Sequence, residues 1–133
     1  MNARCPPQTR RSDSGVSSIQ LTIAAPVLLW WLMLIVQYGL WWHAKQVADS
    51  AAAEAVDVAQ TPTGTAAAGE AAARSYLSQA GHLDDIRVIV DRGTEVVTVE
   101  VGGDAPQLVP GWGWGVTARS RAPVERFVPE AER

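Results

Sequence analysis

The first long pattern along the chain is an apolar run with no polar face. Residues 19–42 include Leu21, Ile23, Val27, Leu28, Leu29, Leu32, Met33, Leu34, Ile35, Val36 and Leu40, and the 31 positions between Asp13 and Lys45 carry no full charge. A helix over residues 19–42, rising about 1.5 Å per residue, crosses a hydrocarbon layer of ~30 Å with some tilt. The 89 residues from Lys45 onward are too few to surround a helix that is apolar on every side, so the run predicts a membrane span and not a buried core helix. It is also much longer than the ~7–15-residue core of a signal peptide. Lys45 and Asp49 separate it from Ala51-Ala52-Ala53, which would otherwise pass for a cleavage site.

Past the run the pattern becomes amphipathic. Residues 44–60 are rich in helix formers, with Val47, Ala51, Ala55 and Val58 at helical spacing. One helix of more than 40 residues, starting near Ser17, is the economical reading, and Pro26 inside it predicts a kink. Thr61-Pro62-Thr63-Gly64 breaks the helix. Thr65 then caps a second helix over 66–79, with Ala68, Ala72, Tyr76 and Leu77 as its apolar face and Gly81 as a left-handed cap. Next the period falls to two. Ile86, Val88 and Val90, a turn at Asp91-Arg92-Gly93-Thr94, then Val97, Val99 and Val101 read as a β-hairpin. A loop over 108–115 leads to a third strand at 116–122. The predicted fold is membrane-anchored α+β: a long N-terminal transmembrane helix, a second helix and a small antiparallel three-stranded sheet. Its parts are a cytoplasmic leader 1–15, the long helix 16–60, a linker 61–64, an exported head 65–122 and a frayed tail 123–133.

Composition hides this division. The mean hydropathy of +0.01, with 47% hydrophobic and 19% charged residues, averages an uncharged helix with a polar remainder. Arg4, Arg10 and Arg11 precede the span against Asp13 alone, whereas eight basic and thirteen acidic residues follow it. The positive-inside rule therefore puts the N-terminus in the cytoplasm and the C-terminus outside the cell membrane. The acidic remainder excludes a basic nucleic-acid binder, so nucleic acid is not expected as a partner. Cys5 alone excludes a disulfide framework or a thiolate metal site, and reads as a plain thiol in the leader.

Catalytic signals are weak. His43 and His82 are 39 residues apart, and His82 with Asp84-Asp85 can be drawn as a metal or acid–base cluster but reads better as a solvated turn. A tethered hydrolase built on these residues is the enzyme reading. Phosphate-loop, nucleophile-elbow, C-x-x-C and H-E-x-x-H signatures are all missing from the sequence. A non-enzyme without metal or cofactor is expected. Gly111-Trp112-Gly113-Trp114-Gly115 reads as a packing or membrane-contact loop.

The span itself carries more. Trp30-Trp31 and Trp41-Trp42 are eleven residues apart, which at ~100° per residue returns each pair to within about 20° of the same stripe. Trp41 and Trp42 fit an interfacial aromatic belt, while Trp30 and Trp31, near mid-bilayer, face either lipid or another helix. Gln20 and Gln37 are embedded amides, and Gly39 permits close backbone approach. Together with Pro26 they point to assembly with other helices.

These residues resemble a family. Gly15 before the apolar run, Gln20 five positions on, Pro26, and Gln37-Tyr38-Gly39 near the helix exit are similar to the TadE/TadG-like pilus-assembly (pseudopilin) proteins. The alanine-rich residues 47–55 and the closing strand 116–122 with Glu125 resemble them more loosely. The resemblance implies a minor pilin or pseudopilin-like subunit of a tight-adherence (Flp) pilus or a related type II/IV secretion assembly. It implies that a prepilin peptidase cuts between Gly15 and Val16, that other pilin-like or Tad subunits are partners, and that membrane lipid surrounds the helix. Where the family usually has Glu at the fifth mature position, and often at position 37, this chain has Gln20 and Gln37. A neutral amide cannot form the ion pair that a carboxylate offers a neighbour's amino terminus, which favours an accessory subunit over a filament shaft. The other reading is an uncleaved single-pass anchor or scaffold of a secretion system.

Overall fold

The computed structural model describes residues 14–81, 83–108, 111 and 113–125, with side chains from Gln20 onward. The leader before Ser14 with Cys5, together with His82, Trp112 and the tail beyond Glu125, lies outside the described residues. The elements are α1 (Ser14–Ala59), α2 (Ala66–Ala80), β1 (Asp84–Arg92), β2 (Val96–Asp104) and β3 (Gly115–Pro123). The expected class is what forms: a long apolar N-terminal helix, a second helix and an antiparallel sheet in the order β1-β2-β3.

The chain divides into a unit ending at Ile35 and a unit from Val36 onward. In the first, α1 begins three residues earlier than Ser17 and remains helical through Pro26. Its large side chains point outward on all sides: Leu21, Ile23, Leu28, Leu29, Trp31, Leu32 and Ile35 are each more than half exposed. Among the described residues α1 has the one stretch long and apolar enough to cross a bilayer. Length and apolarity together suggest a single-pass membrane anchor.

The second unit is built on the remaining turns of α1. Ala44, Val47, Ala48, Ala51, Ala52, Ala55, Val56 and Ala59 are buried in one cluster with Val88, Val97, Val99, Val101, Val116 and Ala118 of the sheet. Sequence spacing found Val47, Ala51 and Ala55, but the stripe is wider and ends on Ala59, with Val58 only half-buried. The alanines leave little bulk on this side of α1, so backbones can approach closely. Gly69 of α2 shows how closely: a Cβ there would lie 2.8 Å from the Ala55 carbonyl oxygen and 3.0 Å from the Ala59 Cβ.

That contact also corrects the expected face of α2. Gly69, Ala73 and Leu77 are buried, whereas Ala68 and Tyr76 are exposed and Ala72 is half-buried. The helix turns its smallest residue to α1 because only glycine fits there, and this shifts the face by one residue. Thr65 caps α2 as expected, its Oγ1 accepting from the Ala68 N–H at 3.1 Å. Gly81 has the expected positive φ of 65°, but its ψ of 169° is an extended conformation open essentially only to glycine, not a left-handed cap.

In the sheet, Val97, Val99 and Val101 of the central strand are fully buried, and Val116 and Ala118 face inward from β3. The hairpin turn sits later than expected. Arg92 still pairs with Val97, and the Gly93 N–H donates to the Val96 carbonyl at 2.9 Å. Arg92 is retained in the strand because its side chain has work at the end of α1. Its Nε donates to the Ala59 carbonyl at 2.8 Å and its Nη2 to the Thr61 carbonyl at 3.0 Å. A cation on these terminal carbonyls satisfies orphan acceptors and complements the helix dipole.

Candidate functional site

The sheet and α1 meet the chain's most unusual loop where the apolar run ends. The segment between β2 and β3 closes on itself, the Ala105 N–H donating to the Trp114 carbonyl at 3.2 Å. Gln37 reaches this loop from α1 and is 1% exposed. Its Nε2 donates to the Pro106 carbonyl at 3.3 Å, and its Oε1 accepts from the Leu108 N–H at 3.0 Å. One neutral amide thus satisfies a donor and an acceptor of the loop backbone together. A carboxylate here can only accept, and would leave the Pro106 carbonyl without this partner. The presence of Gln at position 37 therefore has a local explanation.

Aromatic rings extend the contact. Trp41 stands edge-on to Trp114, with centroids 6.3 Å apart and planes at 86°. This is a favoured arrangement for two quadrupoles. The Trp41 indole N–H points at the Gly115 carbonyl at 3.5 Å, a long contact that orients the ring more than it binds. Tyr38 lies 5.9 Å from Trp41 and 6.4 Å from Trp42, the neighbours that helical spacing places on its face. Tyr38, Trp41, Gly113, Trp114 and Gly115 line an open, largely apolar groove of about 510 Å³.

The residues singled out in the sequence thus fall into different surroundings. Gln37, Tyr38 and Trp41 come together around the loop. Trp42 is exposed beside them, and Gly39 is exposed too: a Cβ at that position meets nothing within 4 Å. The close approach that Gly39 permits is not used within the described part of the chain. In the first unit Gln20 and Pro26 are exposed, and the Gly15–Val16 bond falls in the first turn of α1. Sequence reasoning missed Pro106, Leu108 and Gly115 as partners of α1. The available signal was residues 105–118, fourteen positions without a charge.

Of the residues drawn as an acid–base cluster, His82 lies outside the described residues. Asp84 and Asp85 are exposed at the start of β1, and the Asp85 carboxylate accepts from Arg87 at 2.7 Å. That hydrogen bond, then the charge of Asp85 and a smaller contribution from Asp104, raises the Arg87 pKa above its ordinary value.

Residues 15–57 match the model of the family described as TadE-like protein. The matched segment lies within α1. The match begins one residue into α1 and stops two residues before its end, and it associates the chain with Tad pilus-related membrane proteins. Neither a curated protein nor a solved structure matches the chain. The TadE-like segment takes in both the outward-facing apolar turns and the alanine face, but none of α2 or the sheet.

Proposed function

We propose that the protein is a minor pilin-like or pseudopilin-like subunit of a Tad (Flp) pilus or related secretion assembly, acting by helix–helix contact in the membrane and not as an enzyme. The observation that carries this reading is the TadE-like match on a helix most of whose described large apolar side chains are exposed in its first unit, from Leu21 to Ile35. Such a surface needs lipid or other helices around it. Open space at Gly39 and the exposed amide of Gln20 supply a close-approach point and a hydrogen-bonding group for neighbouring subunits. Gln37, by contrast, spends its amide on the chain's own loop, so the burden of polar contact between helices falls on Gln20.

In this reading the N-terminus is cytoplasmic, the part beyond α1 is extracytoplasmic, and a prepilin peptidase removes residues 1–15. The Gly15–Val16 bond is well placed for that step. The first turn of a helix lacks intrahelical partners for its N–H groups and frays, and glycine weakens it further. Intact-mass measurement of protein extracted from native membranes tests the proposal. A chain beginning at Val16 is expected. Retention of Met1–Gly15 overturns the prepilin reading and leaves the uncleaved anchor or scaffold in its place.

A further inference from the structure

We propose that the loop joining β2 to β3 is a membrane-contact element, seated in the interfacial layer of the bilayer that α1 crosses. The inference rests on reading α1 as a membrane span, and adds that the folded unit from Val36 onward does not stand clear of the lipid. The partner is the phospholipid interface itself.

Depth is the first ground. Gln37 precedes Trp42 by five residues, about 7.5 Å along the helix axis inside the Trp that ends the apolar run, and its side-chain amide holds Pro106 and Leu108 within hydrogen-bond reach. The headgroup layer on each side of a bilayer is only about 5–7 Å thick. A loop tied to Gln37 is therefore held at the boundary between headgroups and hydrocarbon.

Chemistry is the second. Residues 105–118 form the longest uncharged stretch outside the span, and contain Leu108 and Trp114. Tyr38, which lines the groove with Trp41 and Trp114, is 54% exposed, and Trp42 on α1 and Leu108 in the loop are 52% and 45% exposed. In water this would be a costly apolar patch, whereas amphipathic rings with one polar edge favour the interfacial layer. The patch is continuous with α1 through Tyr38 and Trp42, which belong to both, so the lipid that solvates the helix also reaches the loop.

Backbone satisfaction is the third. Irregular backbone at membrane depth is tolerated only where its N–H and C=O groups find protein partners. Among the described residues three such groups have partners: Ala105 N–H with Trp114, Leu108 N–H with Gln37, and the Pro106 carbonyl with Gln37. A buried side chain that both donates and accepts is what such a position requires.

The test uses the full chain with Cys5→Ser, reconstituted in phosphatidylcholine vesicles and carrying one environment-sensitive fluorophore on an introduced cysteine. Leu108→Cys and, as a second loop site, Gln107→Cys are compared with Leu29→Cys in the span and Glu54→Cys. Glu54 is exposed on α1 about 18 Å beyond Trp42. Lipids bearing a nitroxide near the headgroup are expected to quench both loop labels several-fold more than the Glu54→Cys label, with a blue-shifted emission. Loop labels as water-like as that of Glu54→Cys, beside a quenched Leu29→Cys label, overturn the loop's membrane contact and leave the anchor intact. An unquenched Leu29→Cys label overturns both.

Discussion

The two stretches of α1 use the same backbone for opposite purposes. Up to Ile35 the helix carries leucine, isoleucine and tryptophan with their bulk turned outward, and most of its described large side chains are exposed. From Ala44 to Ala59 it carries alanines turned inward, and these are almost completely buried. Large residues outside suit a surrounding of lipid or other helices, where contact area is the only gain available. Small residues inside suit a protein core, where removing bulk lets α2 come within van der Waals contact of the helix backbone. Burial within the chain, and not hydrophobicity, separates an anchor from a scaffold.

Three comparisons of substitutions probe that contrast. The largest effect is expected from a charge in the outward-facing stretch: Leu32→Arg should cost about 3 kcal/mol of membrane insertion and cut the carbonate-resistant membrane fraction sharply. The same charge at exposed Ala53 should leave that fraction unchanged. Next comes bulk on the inward face. Ala48→Leu should destabilise the folded unit by about 2 kcal/mol through overpacking, read as a lower urea midpoint of the full chain in detergent. Leu32→Ala should change the stability read from that midpoint by less than about 0.5 kcal/mol. The smallest effect is expected where the two stretches join. Gln37→Leu should cost about 1–2 kcal/mol by leaving two backbone groups of the loop without their partner. Faster amide hydrogen exchange at Leu108 is the direct readout, and Gln37→Glu should restore slow exchange there because a carboxylate can still accept that bond. Equal exchange rates in all three proteins would show that Gln37 does not hold the loop.

Much of this architecture was legible in the residue order. The uncharged run, the alanine-rich continuation, Thr65 as a cap and the alternation of Val97, Val99 and Val101 each carry a local signal, and each element formed within a few residues of its expected bounds. The face of α2 was misread because Ala68 and Gly69 are nearly equivalent by hydropathy, and only the approach of Ala55 and Ala59 makes glycine the inward residue. The turn was misplaced because Arg92 looks like a turn residue until the end of α1 is beside it. Gln37, a polar group in an apolar run, implies a partner without naming one. Its partner is 71 positions away, at Leu108.

Local physics is short-ranged, and it accounts for what could be read directly: which segments are helices, which are strands, and which stretch can enter a bilayer. Periodicity, capping and the energetic cost of charge in hydrocarbon act over a few residues or along one helix, so the sequence contains them in full. The inward face of α2, the cap that Arg92 places on α1 and the loop held by Gln37 arise from groups far apart in the chain. Only folding brings them within hydrogen-bonding or van der Waals reach, and each exists because a buried polar group or a close backbone contact must be satisfied where those segments meet.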